Sequence, residues 1–179
     1  MNKLPKFIER KTVYESKFIN VHRDKITTHS GNTYEHHVLQ TPSDSVVSII
    51  KNAQAQIALV SCIRYVQGTE DSLELPAGGI DPNEEPMIAA KREFREETGF
   101  EAYNLSFLGE FYPTNSMMTQ KIYVFSGELD EPMQRQEYDK DEVNETFWFT
   151  LEEIKDLIRN NKITCGVTLS AFACYLTRV

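Results

Sequence analysis

The rhythm of apolar and polar positions changes repeatedly along the chain. From Lys11 to Gln40, β-branched and aromatic runs (KTVYES, FINVHRDKITT and TYEHHVLQ) alternate with polar turns, and HSGN has the composition of a hairpin turn. These runs predict a small antiparallel β element over residues 1–45. From Ser45 the chain is more apolar: VVSIIK and QIALVSCIRYV, joined by the polar NAQAQ, read as two strands of a main sheet. LELPAGGID then reads as a glycine-containing loop. A helix is expected from about Asn83 to Thr98, with Asn83 as N-cap, Pro86 tolerated in the first turn and Gly99 as the stop. LSFLGEFYP, QKIYVFSGE and ETFWFT read as further strands, and LEEIKDLIRN and VTLSAFACYLTRV as helices, while EPMQRQEYDKDEVNE is long, acidic and irregular. The alternation of strand and helix over residues 46–179 predicts an α/β domain, a mixed sheet with helices on its faces.

Length and charge narrow the possibilities. A chain of 179 residues fits one domain, or one with a small appendage, and can bury a sizeable core. The cysteines Cys62, Cys165 and Cys174 cannot all pair within one chain and have no metal-type spacing, so they read as buried thiols of a reducing, cytoplasmic compartment. The opening MNKLPKFIERKTVYE mixes charge with apolar residues, and no segment approaches the roughly 20 apolar residues of a membrane span; neither a secretion signal nor a membrane partner is expected. A formal net charge of −8 opposes binding to nucleic acid, although bound cations could still present a phosphorylated substrate to such a chain. His22, His29, His36 and His37 show no paired ligand spacing.

The candidate chemistry lies in AAKREFREETGF. At helical period Ala89, Ala90 and Phe94 form an apolar strip, while Glu93 and Glu97, four apart, share another side and Glu96 completes a carboxylate triangle. Like charges so spaced cost stability unless neutralised, and hard oxygen ligands are what Mg²⁺ or Mn²⁺ selects. A solvated, salt-laced helix face is the plainer alternative. Arg92 lies eight residues after Glu84 and can reach it only if the first turn bends or frays. Ahead of the helix, Pro76-Ala77-Gly78-Gly79 permits a tight backbone course and can expose a carbonyl as a further oxygen ligand.

The whole segment GGIDPNEEPMIAAKREFREETGF resembles the Nudix hydrolase signature. It runs Gly78, five residues, Glu84, seven residues, Arg92-Glu93, an apolar residue, one residue, Glu96-Glu97, one residue, Gly99 and a final apolar residue. Only the aromatic Phe94 and Phe100 depart, standing where aliphatic residues are usual. The resemblance implies an α/β/α sandwich over about Val46 to Val179. It also implies metal ligation by Glu93, Glu97, the Ala77 carbonyl and the supporting Glu96, with Gly78, Glu84, Arg92 and Gly99 mainly structural.

Features outside the signature resemble the ADP-ribose and nucleoside-diphosphate-sugar pyrophosphatase branch, which implies a homodimer exchanging the N-terminal element. They are that element, the run from Ile63-Arg64-Tyr65 into Leu73–Gly78, and Phe111-Tyr112-Pro113-Thr114. Arg64 could pair with phosphate or with Glu74, Tyr65 could stack on a base or pack at the core edge, and Pro113 joins the candidate substrate residues. Met117-Met118 and Gln120 replace the branch's glycine-containing turn and glutamate, which implies an altered sugar pocket; Gln120 can hydrogen-bond but carries no charge. In the acidic loop, Glu142 is the preferred acid to orient or deprotonate water, with Asp139 and Asp141 as alternatives. The reaction implied is Mg²⁺-dependent hydrolysis of the diphosphate of ADP-ribose or a nucleoside diphosphate sugar. The alternatives are hydrolysis of a dinucleotide or nucleoside triphosphate, or a non-catalytic metabolite-binding module.

Overall fold

The computed structural model describes residues 3–129, 135–141 and 143–178, and they divide into two compact units. The described residues within 1–44 and 112–121 form one; those within 45–111 and 122–179 form the other.

The first unit is a three-stranded antiparallel sheet in the order β1 (Lys6–Glu15), β2 (Asn20–Thr27), β3 (Thr33–Gln40). Segment 112–121 lies along β3: the Leu39 amide donates to the Met117 carbonyl at 2.7 Å, and the Leu39 carbonyl accepts from Thr119 at 3.2 Å. Two polar side chains are buried in this sheet. His22 bridges the Thr12 hydroxyl and the Gln40 side chain, both at 3.0 Å. Asp24 takes a two-pronged hydrogen bond from Arg10 at 2.7 Å per prong, which holds its carboxyl below the usual range. The stabilisation from Asp24 is therefore present above its unfolded-state value near pH 4 and lost as pH falls below it. Asp24→Asn is expected to cost about 1 kcal/mol at pH 7, given the half-exposed guanidinium, and to flatten the fall in stability between pH 5 and pH 3, read by urea unfolding at each pH.

The second unit is an α/β/α sandwich on a seven-stranded mixed sheet. Its strands are β4 (Ser45–Lys51), β5 (Ile57–Arg64), β6 (Thr69–Glu74), β7 (Ala77–Gly79), β8 (Ala102–Phe111), β9 (Ile122–Leu129) and β10 (Val143–Phe149). The path β10-β5-β4-β9-β8 carries β6 beside β5 and β7 beside β4, and the β4–β9 pairing is parallel. β4 and β5 pair only at Lys51 and Ile57, next to their connecting turn. Beyond that point they diverge, and the chain from β6 through Leu75-Pro76 into β7 fills the gap: β6 pairs with β5, β7 pairs with β4, and the Ser48 amide donates to the Pro76 carbonyl at 2.9 Å. The sequence LELPAGGID, read as a loop, is thus largely strand, because the divergence leaves backbone groups that need partners.

The central strands are apolar on both sides because both faces are covered. Val46 and Ile50 of β4 pack with Ala58, Phe125 and the strip Ala89, Ala90 and Phe94 of α1 (Pro86–Thr98). Val47 and Ile49 pack on the other face with Ile154 of α2 (Leu151–Arg159) and Ala171, Phe172 and Tyr175 of α3 (Gly166–Leu176). A period of two along β4 therefore separates two cores. Helix α2 opens with a capping box, Thr150 and Glu153 bonding each other's backbone amides. Among the described residues no helix is long and apolar enough to cross a membrane.

One buried contact ties the gap-filling segment to α3: the Leu75 amide donates to the Thr168 hydroxyl at 3.0 Å, and both residues are buried. Thr168→Val keeps the shape and leaves that amide without its acceptor. The expected loss is about 1–3 kcal/mol in a chemical-denaturation midpoint analysis.

Candidate functional site

The helix bearing the acids starts later than its sequence suggests. Asn83 is not the N-cap: it sits at φ 66°, in a left-handed turn, and Glu85 is the N-cap with an extended backbone, φ −73° and ψ 138°. Proline is the cause, since Pro86 suits the first helical position while excluding the helical conformation from the residue before it. The helix ends at Gly99, φ 74°, whose amide caps the Arg95 carbonyl at 2.7 Å.

The late start leaves Glu84 in a loop that can fold back onto the helix, which settles how residues eight apart meet. Arg92 Nε and Nη2 donate to the two oxygens of Glu84 at 3.0 and 2.8 Å. Nη2 also donates to the Gly79 carbonyl at 2.8 Å, while Nη1 donates to Glu93 at 2.7 Å and to Glu96 at 3.0 Å. All five guanidinium N–H directions are used, a fork that lysine cannot reproduce. The Glu84 carboxylate also accepts from the Asp81 amide at 3.0 Å, and its carboxyl is held below the usual range, chiefly by Arg92. Burial pushes the Glu93 carboxyl up, against the opposing pull of Arg92.

The loop glycine is fixed by this packing. A Cβ on Gly78 would lie 2.1 Å from the Glu93 carboxyl carbon, so only glycine allows β7 to pass so close to that acid. Glu97, 9% exposed, accepts the Ala77 amide at 3.1 Å, which joins the helix to β7 from the other side.

Glu84, Glu93 and Glu97 thus approach the backbone of residues 77–81, and Glu96 joins them through Arg92, the cation among them. The donors are hard, partly buried carboxylate oxygens in excess of positive charge, a set that suits a small divalent cation. In the present side-chain arrangement Glu84, Glu93 and Glu96 turn their oxygens onto Arg92, and no three acidic, histidine or cysteine side chains among the described residues converge as a ligand cage.

The other candidates are placed differently. Arg64 is committed to Glu74 through two hydrogen bonds of 2.8 and 3.0 Å, the structural alternative of its two readings. Burial raises the Glu74 carboxyl, but Arg64, Ser72 and Cys165 outweigh it and leave the group below its ordinary value. Tyr65 stands on the β5–β6 turn, 96% exposed, and does not pack at the core edge. Pro113 and Gln120 belong to the segment that runs with the N-terminal sheet. Glu142 lies outside the described residues. Of its alternatives, Asp139 lines a cavity of about 260 Å³ with Glu96, Glu137 and Tyr138, and its carboxylate accepts the Asp141 amide at 2.8 Å. Sequence reasoning missed the Gly79 carbonyl as an Arg92 partner and Thr168 as an anchor; no local pattern signals the latter, 93 residues from Leu75.

Comparison with known proteins agrees with this geometry. The NUDIX domain family matches residues 41–165. The chain is 26% identical, over 91% of its length and 78% of the relative, to the CMP-5'-(N-acetyl-N-hydroxy-3-aminopropyl)phosphonate hydrolase of Streptomyces rubellomurinus. It is also 26% identical, over 88% of its length and 85% of the relative, to the ADP-ribose pyrophosphatase of Bacillus subtilis. A crystal structure of an ADP compounds hydrolase shares the fold, with a TM-score of 0.81 and 22% identity over 97% of this chain and 92% of that one. With the glutamate helix, its arginine fork and the glycine beneath Glu93 in place, the chain belongs to the NUDIX domain family and is a hydrolase of the Nudix type.

Proposed function

We propose that the protein hydrolyses the diphosphate bond of ADP-ribose or a related nucleoside diphosphate sugar, releasing a nucleoside monophosphate and a sugar phosphate. The observation that carries this reading is the acid cluster itself, four carboxylates on and beside α1 with Glu97 bonded to the Ala77 amide. Support for the substrate class comes from the relative named for ADP-ribose, which aligns over most of the chain, and from the antiparallel unit that precedes the catalytic domain.

Glu93, Glu96, Glu97 and the Ala77 carbonyl would hold Mg²⁺, with Mn²⁺ as an alternative, and the cation supplies neutralisation of phosphate charge and acidification of water. The reaction forms a bond between a water oxygen and one phosphorus and breaks the bridging P–O bond, so that the leaving phosphate departs with the bonding pair. The water proton passes to an acid of the 137–142 loop, Glu142 by preference, with Asp139 and Asp141 as the alternatives. Arg92 keeps Glu84 and the backbone at Gly79 in place while Glu93 and Glu96 turn from it. In this reading Arg64 braces the loop through Glu74, beside Tyr65 as the candidate substrate contact of the same unit.

A second reading is favoured by the relative that acts on a CMP phosphonate conjugate: the site takes a nucleoside monophosphate joined to a different phosphorus acid. The test is monophosphate release from ADP-ribose, several nucleoside diphosphate sugars, dinucleotides, nucleoside triphosphates and a CMP phosphonate conjugate. Preference for ADP-ribose or one diphosphate sugar supports the first reading, preference for the phosphonate conjugate the second, and turnover of triphosphates alone contradicts both.

Homodimerisation in a reducing cytoplasm belongs to the same proposal. Every residue of β1 is exposed, including Phe7 at 61% and Tyr14 at 54%, apolar surface that a second copy would cover. A purely monomeric mass at micromolar concentration would defeat it.

A further inference from the structure

The C-terminal end of the acid-bearing helix is closed by a distant segment. A helix leaves its last four carbonyls without intrahelical partners. In α1 the Thr98 carbonyl accepts from Arg135 Nε at 3.0 Å, the Glu96 carbonyl accepts from the Asp139 amide at 2.8 Å, and the carbonyl of Gly99, just past the end, accepts from the Gln136 amide at 2.8 Å. Residues 135–139 therefore run along the helix terminus as its cap.

Arg135 is the centre of this arrangement. Its guanidinium lies 4.0 Å from the Tyr138 ring centroid and 5.7 Å from that of Phe100, and its Nη2 donates to the Thr146 hydroxyl of β10 at 3.1 Å. Phe100 in turn packs edge-on against Trp148 at 5.9 Å, and the Tyr138 hydroxyl donates to the Asn144 carbonyl at 3.2 Å. One side chain so joins the helix end, two aromatic rings and the next strand.

Gly99 is shaped by the same contact. Beyond its left-handed backbone, a Cβ there would stand 2.4 Å from the Gln136 carbonyl oxygen and 3.0 Å from Arg135 Cγ. The glycine that stops the helix is also the seat of the segment. At the far side of that seat, Glu137, Tyr138 and Asp139 line one cavity with Glu96.

We infer that Arg135 is a positioning residue for the hydrolytic reaction: by capping α1 and stacking on Tyr138 it holds residues 136–139 against Glu96 and fixes Asp139 beside the acid cluster. This rests on the acid cluster being the hydrolytic site. Arg135 touches neither substrate nor reacting atoms in this role. Loss of the clamp lets the segment drift, and a displacement of the order of an ångström near reacting groups is felt in turnover more than in binding.

The experiment combines hydrogen exchange at the Gln136 and Asp139 amides with steady-state kinetics on the best substrate of the panel, for Arg135→Ala, Tyr138→Ala and Tyr138→Phe. Arg135→Ala is expected to speed exchange at both amides and to lower kcat by about tenfold to a hundredfold with KM little changed. Tyr138→Ala should reproduce the loss, and Tyr138→Phe, which keeps the ring under the guanidinium, should recover most of it. Unchanged exchange in Arg135→Ala, or faster exchange with wild-type kcat, overturns the inference. Absence of turnover by the wild-type protein across the panel would instead count against the proposed function, with the exchange rates still reporting whether the clamp exists.

Discussion

Glu97→Gln is expected to lower kcat by about a thousandfold, close to 4 kcal/mol of transition-state stabilisation, while the protein stays folded. Glutamine has the shape of glutamate, and its amide oxygen can still accept the Ala77 N–H that Glu97 accepts at 3.1 Å. The junction between α1 and β7 therefore survives, and what disappears is one negative charge at a residue only 9% exposed. Thermal unfolding within a few degrees of wild type, together with collapsed turnover, would assign that charge to the reaction. Equal turnover in the two proteins would show that the acid serves the fold alone.

Gly78→Ala should be nearly as damaging by a different route. The added methyl would stand 2.1 Å from one Glu93 oxygen and 2.5 Å from the other, so one of the two groups must move. The carboxylate is the end of a flexible side chain and gives way more easily than β7, which is paired with β4 through Ala77, Gly78 and Gly79. Stability should fall by only about 1–3 kcal/mol, the usual cost of overpacking. Glu93, however, leaves both its hydrogen bond to Arg92 and its place in the cluster, and kcat should fall about a hundredfold. Kinetics beside denaturant titration separate the two effects; loss of stability with full activity would mean that the strand moved and Glu93 did not.

What the sequence revealed depended on how local the cause was. VVSIIK and QIALVSCIRYV read as central strands because burial on both faces makes a strand continuously apolar, and the signature helix read correctly at its C-terminus because Gly99 must take a left-handed conformation. Its start was misread since Asn83 looks like a cap, whereas the restriction that Pro86 places on Glu85 decides the boundary. β1 begins at Lys6, ahead of the expected Lys11: its residues are all exposed, and their pairing with β2, not a buried face, makes them strand. β8 likewise begins at Ala102, and its first residues are held by pairing with β9.

The site was legible in its residue types and less so in its contacts. The carboxylates and Arg92 could be named from spacing, but the completed guanidinium fork required a loop whose course Pro86 and the Gly79 carbonyl determine. Arg64 illustrates the same limit, because Glu74 lies across a strand pair from it and a bidentate fork suits a buried carboxylate as well as a phosphate. The run of Met117 along β3 and the cap that Arg135 places on α1 come from pairings far apart in the chain, which no local pattern encodes.

The central claim is that the carboxylates of α1 hold the divalent cation on which turnover depends. The most direct measurement is a Mn²⁺ titration followed by electron paramagnetic resonance, on wild-type protein and on Glu97→Gln. The account predicts saturable binding to the wild-type protein that is weakened at least tenfold in the variant. Identical binding curves for the two proteins, or no binding by either, would contradict it.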